Sequence, residues 1–366
     1  MEELEEDGLK NPTPSDSAPT PPETIADIVR SYKDTRGIVM TTGYWHFRFA
    51  FHAIHVIRTI LKSELPIEIF YVGQQDLGEL QISLLQQIPR VKVIDMSRLI
   101  DVHEPAVTGW AAKPYALLLS SFAEAIFVDA DALFFQDPVV LFEQDAYKST
   151  GVLLFRDRTI TPFSDEPLKY FKSVVPEPSD YAAAGRLVRG LSQHDGESGV
   201  IVMNKIDGFF TLLLVCKMNS VDFRQDLWRI YHGDKETWWI AHELRKQPYA
   251  FNHPAGGAVG YPHPTKPQWV CGGLHHPDQD GNPLWFNGGI IANKYTHGGH
   301  NTLNLTVWAT DYSYQDVEWE WETETSPFCM KPAQPSYRGQ LKPRELEIAR
   351  KMAQSWTILE DQIMNA

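Results

Sequence analysis

Short, mostly apolar runs recur along the chain: Gly37-Ile-Val-Met-Thr-Thr42, Ile67-Glu-Ile-Phe-Tyr-Val72, Val91-Lys-Val-Ile-Asp95, Ala125-Ile-Phe-Val128, Gly151-Val-Leu-Leu-Phe155 and Gly199-Val-Ile-Val-Met203. Runs of this length and content predict buried strands. Between them the pattern changes period. Residues 46–62 carry Phe49, Ala53, Val56, Ile57 and Ile60 at helical spacing, and further helices are predicted near 76–87, 113–122, 205–219 and 343–364. Strand and helix in alternation predict an α/β fold, a mostly parallel sheet with helices on both faces. Ligands of such sheets bind beyond the carboxyl ends of the strands. From about residue 248 Gly, Pro, His and Trp dominate, as in Asn252-His-Pro-Ala-Gly-Gly257 and His275-His-Pro-Asp278, and this stretch reads as long functional loops.

The strand-end motif with the most chemistry is Phe127-Val-Asp-Ala-Asp-Ala-Leu133. Residues two apart in extended chain share a side, so Asp129 and Asp131 can face one cation. Mg²⁺ and Mn²⁺ are typically held by one or two carboxylates, with substrate phosphates completing the shell. The plainer reading is a turn in which Asp caps backbone amides. A phosphatase that phosphorylates its own Asp uses a similar strand end, usually with Thr or Val where this chain has Ala132. Other residues have plain readings too. His52 and His55 lie in an apolar helix with no carboxylate or Cys beside them, which fits packed histidines better than zinc. At least one of Trp238 and Trp239 belongs to the core, and His275-His276 reads as an exposed loop pair.

Five segments in a fixed order resemble the fungal α-mannosyltransferase family (glycosyltransferase family 71, α-1,3-mannosyltransferase type) over roughly residues 37–300. They are Arg58-Thr-Ile-Leu-Lys-Ser-Glu-Leu-Pro-Ile-Glu-Ile-Phe-Tyr-Val-Gly73, Gly109-Trp-Ala-Ala-Lys-Pro-Tyr-Ala-Leu117 leading to Val128-Asp-Ala-Asp131, Gln136-Asp-Pro138, Glu197-Ser-Gly-Val200 and Gly233-Asp-Lys-Glu-Thr237. The resemblance implies a GT-A-like, Rossmann-like nucleotide-sugar-binding fold, a GDP-mannose donor, a mannose-containing glycan acceptor and transfer with retention. It implies Mn²⁺ (or Mg²⁺) on Asp129 and Asp131. It places Thr42, Gly43, Trp110, Lys113, Asp129, Ser198, Gly199 and Lys294 at the nucleotide sugar, and Glu197, Asp234 and Glu236 at the reaction centre. Where the family usually has a His after Gly281-Asn-Pro-Leu-Trp-Phe286, this chain has Asn287, whose carbonyl can serve a hard cation; His297 or His300 is the alternative third ligand. A UDP-sugar donor and a non-catalytic nucleotide- or glycan-binding homologue remain as the other readings.

Composition narrows the partners. The formal net charge is -14, with 22% charged residues and no cluster of Lys and Arg, which argues against nucleic acid. Residues 1–30 begin acidic and Pro-rich and read as a disordered tail, leaving 31–366 as a single catalytic domain. No run approaches the roughly 18 apolar residues of a membrane span, and the start lacks the basic and apolar parts of a signal peptide. The chain as given therefore reads as soluble. The family resemblance implies the Golgi lumen, with the membrane reached only through an anchor that this chain lacks. Three cysteines allow one disulfide at most, and Asn304-Leu-Thr306 is a sequon that matters in a secretory compartment.

Overall fold

The computed structural model describes residues 21–103, 105–292, 301–321 and 327–364, with side chains to residue 360. Four strands, β1 (Lys33–Thr41), β2 (Ile67–Tyr71), β3 (Val91–Asp95) and β4 (Phe122–Val128), lie side by side in the order β3-β2-β1-β4, all parallel. The short β5 (Leu133–Phe134) follows, then β6 (Val152–Arg156) and β7 (Gly196–Asn204), with β7 running antiparallel between β4 and β6. The sheet continues through β8 (Ala250–Pro262), parallel to β6, and β9 (Val270–Pro277), antiparallel to β8. The remaining strands, β10 (Pro283–Asn287), β11 (Val307–Asp311), β12 (Glu318–Glu320), β13 (Cys329–Lys331) and β14 (Arg338–Gln340), pair antiparallel at its far end. The sheet is thus mixed, with its parallel part where the sequence alternates strand and helix.

Alternation along β1 divides the core in two, as the period of a strand requires. Ile38 and Met40 face a cluster with Ile126, Val128 and Val202, covered by α2 and by the C-terminal helix. Val39, Phe127 and Ile201 face the opposite cluster, covered by the helices that follow β3 and β7. In chain order the helices are α1 (Ile25–Ser31), α2 (Phe47–His55), α3 (Glu79–Gln86), α4 (Ala112–Leu119), α5 (Asp145–Thr150), α6 (Glu166–Val174), α7 (Asp180–Ala183), α8 (Phe209–Met218), α9 (Val221–Tyr231), α10 (Thr237–Arg245) and α11 (Pro343–Met364). The helix expected over 46–62 is α2 continued by a wide turn, Val56–Ile60. No described helix is long and apolar enough to cross a membrane.

Two sequence expectations change. The tail is not featureless to residue 30: α1 starts at Ile25, closed by a reciprocal cap in which Thr24 and Asp27 each take the other's amide. The Gly- and His-rich stretch from 248 is mostly strand, because its glycines let backbones meet. A Cβ on Gly257 would lie 1.9 Å from the Ala309 carbonyl oxygen, and one on Gly260 would lie 1.8 Å from that of Cys271. His275 and His276 are accordingly buried in β9, not exposed in a loop. Cys271 and Cys329, facing each other across β9 and β13, form a disulfide; Cys216 is free and buried.

Helix α11 docks on α2 through Trp356, whose ring stacks on Phe49, and through His52, whose Nε2–H donates to the Met352 carbonyl at 2.9 Å. Burial pushes the His52 imidazole down to about 4. The folded state therefore keeps a neutral ring where the unfolded chain binds a proton near 6.5. This contribution is whole above pH 6.5 and is lost as pH falls toward 4, by about 3 kcal/mol at most. Urea midpoints at pH 7 and pH 4.5 should converge more for His52→Gln than for the wild type; equal acid sensitivity would remove His52 from the account.

Candidate active site

The carboxyl end of β4 is wedged between β1 and β7, with Met40 beside Val128 and Val128 opposite Val200. The chain leaves β4 in a turn: the Asp129 N–H donates to Gly199 O at 2.8 Å, and Ala132 N–H donates back to Asp129 O at 3.0 Å. This holds Asp129 half-buried and Asp131 buried at the sheet edge. Next to them Lys113, from the first turn of α4, is only 5% exposed. Its ammonium lies 2.8 Å from the Asp129 carboxylate, 3.2 Å from Ser198 Oγ and 3.6 Å from Asp234 Oδ1. Burial opposes its charge, but the carboxylates of Asp129 and Asp234 outweigh that and hold its pKa above the ordinary lysine value. Burial lifts Asp129 to about 6 against the pull of Lys113, with Asp131 adding a repulsive push.

Three further carboxylates converge here and differ in what their oxygens are doing. Asp234 accepts from Ser198 Oγ at 3.1 Å and from Trp238 Nε1 at 2.9 Å. Glu236 has no exposed surface and accepts from the Asp195 and Gly196 amides and the Trp239 indole. Both tryptophans are buried, each donating to one of these acids. Glu197 accepts from Gly199 N–H at 3.0 Å and from Asn287 Nδ2 at 2.9 Å, both at Oε1, and its Oε2 accepts from none of the described residues. Burial, then the charges of Asp157 and Asp129, push Glu197 up to about 7. Burial also raises Glu236 to about 7.

Most residues singled out from sequence gather at this edge. Thr42 and Gly43 follow β1; Ser198 and Gly199 open β7. A Cβ on Gly199 would lie 2.7 Å from Glu197 Oε1 and 3.0 Å from Trp285, so only glycine lets β7 pass under that carboxylate. Trp110 is 44% exposed, edge-on to Trp228 and beside His232. Asn287, expected as a third metal ligand, commits its amide to protein: Nδ2 donates to Glu197 and Oδ1 accepts from Gly288 N–H. It adjoins Asp131, whose carbonyl accepts from Gly289 N–H at 2.8 Å. Lys294, His297 and His300 lie outside the described residues.

The sequence reading missed Asp157 and Lys235. Lys235 Nζ sits 2.6 Å from Asp157 Oδ2, and the lysine and Arg158 hold that carboxyl far below its usual range despite burial. The signal was present, since Arg156-Asp-Arg158 ends β6 as Asp129 ends β4. A cleft of about 630 Å³ lies at the opposite, amino end of the parallel strands, lined by Arg36, Glu124 and Tyr147, far from these groups. Among the described residues the cluster His263, Cys271 and Cys329 brings ligand atoms together, but its sulfurs are bonded to each other. The Asp129–Asp131 edge offers oxygen donors with excess negative charge, and such a set fits a hard divalent cation.

The sequence model of the family described as "Mannosyltransferase putative" matches residues 35–278. "Putative alpha-1,3-mannosyltransferase MNN14" of Candida albicans is 28% identical over 312 residues, 73% of this chain and 44% of that protein. "Alpha-1,3-mannosyltransferase MNT3" of Saccharomyces cerevisiae is 24% identical over 284 residues, 66% of this chain and 44% of that protein. The chain spans about half the length of the curated relatives it matches. Among solved structures, the galactosyltransferase LgtC with donor and acceptor sugar analogues overlays 57% of this chain and 70% of its own, at 12% identity and a TM-score of 0.37. The mannosyltransferase Ktr4p of S. cerevisiae overlays 60% and 67%, at 9% identity and a TM-score of 0.36. Both likenesses are too distant to bear on function. The family match spans two thirds of the chain and takes in Asp129, Asp131, Glu197 and Asp234, so the chain belongs to this mannosyltransferase family.

Proposed function

We propose that this domain is a retaining α-mannosyltransferase that moves mannose from GDP-mannose to a hydroxyl of a mannose-containing glycan, with Mn²⁺ or Mg²⁺ held by Asp129 and Asp131. The observation that carries the reading is the contrast between Glu197 and its neighbours. Asp234 and Glu236 have both oxygens engaged by protein donors, whereas Oε2 of Glu197, beside the Asp129–Lys113 pair, accepts from none of the described residues. Transfer breaks the bond between sugar C1 and the diphosphate and forms one from C1 to the acceptor oxygen, whose proton leaves with a phosphate oxygen or a carboxylate. Positive charge grows on the sugar during that exchange, and an acidic group must face it. Glu197 does so, oriented by Gly199 N–H and by Asn287.

Lys113 contributes a fixed positive charge to the diphosphate side, its ammonium set in advance by Asp129, Ser198 and Asp234. A bound divalent cation supplies further charge neutralisation for the departing nucleoside diphosphate. Asp234 and Glu236 are positioning residues: one anchors Lys113 and Ser198, the other pins the start of β7 through two backbone amides. Their neighbour Trp110, partly exposed, gives the site an aromatic wall.

The compartment reading is the Golgi lumen, and two features of the chain fit it. The Cys271–Cys329 disulfide fits folding in an oxidising compartment. Asn304 is exposed, while Leu303 and Leu305 on either side are buried, so a glycan there would point away from the fold.

In a melt, GDP-mannose at 100 times its dissociation constant should add about 2.7 kcal/mol with Mn²⁺ present. EDTA or Asp129→Ala/Asp131→Ala should erase that gain. A shift with UDP-sugars and none with GDP-mannose would replace the donor. Glu197→Gln should keep GDP affinity and lower the transfer rate on the order of 10²–10³-fold, the scale of losing one charge-stabilising group; an undiminished rate would take Glu197 out of the chemistry. Protein secreted from a fungal host should gain mobility on glycosidase treatment, and Asn304→Gln should abolish the difference. No shift in the wild type would leave the sequon unused.

A further inference from the structure

Glu197 has a charged pair on two sides. One is Asp129–Lys113. The other is Asp157–Lys235, held at 2.6 Å, and of the charges acting on the Glu197 carboxyl that of Asp157 is the strongest, ahead of Asp129. The strand ladder explains the nearness. Phe155 lies opposite Glu197 where β6 meets β7, and two residues further on the Asp157 N–H donates to Asp195 O at 2.9 Å. Residues two apart share a face of extended chain, so Asp157 continues the face that carries Glu197. Its carboxylate is fixed in place, with Oδ1 accepting from Arg158 N–H at 2.7 Å, and its carbonyl accepts from Arg186 Nη1 at 3.0 Å. Asp157 and Lys235 are 5% and 9% exposed, as befits the floor of a pocket.

From this floor the chain leads outward. Arg158 lays its guanidinium over Phe328, 4.1 Å from the ring centre, with the Trp319 and Trp321 rings at 5.7 and 5.8 Å. Trp319 is tied to the same strip, its indole N–H donating to Thr159 O at 3.1 Å. Trp321 is 55% exposed. Attraction between a cation and aromatic faces accounts for Arg158. It does not account for a tryptophan more than half in water at the end of a row that begins beside Glu197. Carboxylate and guanidinium at the inner end and an open aromatic ring at the outer end match a carbohydrate chain. Each sugar ring carries hydroxyls around its rim and C–H groups on its faces, and the faces stack on aromatic rings.

Transfer brings two substrates to Glu197. Lys113 and the Asp129–Asp131 edge suit the diphosphate, which leaves the Asp157 side for the acceptor. Lys235 and Arg158 keep the Asp157 carboxyl ionised despite its burial, so it accepts hydrogen bonds and takes no proton. It orients the acceptor while the bond from C1 to the phosphate oxygen breaks and the bond from C1 to the acceptor oxygen forms. The hydroxyl proton leaves on the departing phosphate oxygen.

We propose that the acceptor glycan binds along Asp157, Arg158 and Trp321, with hydroxyls of its first sugar on the Asp157 carboxylate that Lys235 positions and a following sugar stacked on Trp321. The assignment rests on the glycosyl-transfer reading of the Asp129 site and adds where the acceptor lies.

Transfer from GDP-mannose with Mn²⁺ to methyl α-mannoside and to an α-linked mannotriose tests it, together with calorimetric GDP affinity, in wild type, Trp321→Ala and Asp157→Asn. Wild type should show a KM for the trisaccharide about fivefold below that for the monosaccharide, the scale of one aromatic contact. Trp321→Ala should erase that difference by raising the trisaccharide KM alone. Asp157→Asn should raise both KM values by about tenfold, the scale of a hydrogen bond to a charged group, with GDP affinity kept. A trisaccharide KM that does not move in Trp321→Ala would overturn the proposal. So would GDP affinity that falls in step with transfer in Asp157→Asn. If Asp157→Asn leaves Lys235 uncompensated and does not fold, Trp321→Ala decides alone, its side chain being at the surface. A wild type that gives no product with either acceptor defeats the transferase reading itself, and this subsite falls with it.

Discussion

A buried ammonium cannot stand alone in a protein interior, and the compensation of Lys113 organises everything around it. Its three approaches draw on three separate pieces of chain: Asp129 from the end of β4, Ser198 from the start of β7 and Asp234 from the loop before α10. Because α4 supplies the lysine, the helix cannot shift without exposing or orphaning the charge. The same pair also explains why the edge tolerates so many acids. Burial works against the Asp129 charge and Asp131 repels it, and Lys113 offsets only part of the two together, so Asp129 is lifted to about 6. An edge left with surplus negative charge is suited to a divalent cation and, through it, to an anionic ligand.

Around this charge the backbone is drawn unusually close, and glycines mark where. Gly43 makes room for the Asp76 carboxylate, and Gly199 for Glu197, Asn287 and Trp285. Gly233 has φ +89°, a conformation side chains resist, and a Cβ there would press on the Trp110 ring at 2.9 Å. Each of these glycines lies one to three residues from a charged or aromatic group of the site. The dense second network behind β6 holds this edge from the other side. Arg186, 1% exposed, reaches Asp195, Thr159 and the carbonyl of Asp157, while Lys235 pairs with Asp157. Broken singly, such pairs leave an uncompensated charge, so the wall behind Glu197 is stiff.

What was legible in the sequence follows from how local the signals are. The parallel strands were visible as short apolar runs, and α11 as a long amphipathic stretch, because burial on one face writes a period into the chain. Asp129 and Asp131 were visible because they follow such a run directly. The strands from β8 onward were not, since glycine and histidine in a strand give no apolar alternation, and only the close approach of β11 and β9 explains them. The same limit hid the difference among the acids. Glu197, Asp234 and Glu236 read alike in sequence. Which oxygens are taken depends on amides and indoles up to 90 residues away, as Asn287 on Glu197 illustrates.

The state of each carboxylate oxygen therefore sorts structure from chemistry more sharply than burial does. Glu236 and Asp195 are buried and fully engaged, and what they hold in place is backbone and arginine. Glu197 is less buried, and its Oε2 accepts from none of the described residues, at a point where Gly199 leaves out a side chain to bring the carboxylate in. A carboxylate oxygen left to solvent beside a compensated lysine can face a ligand that brings positive charge, which the fully engaged acids cannot.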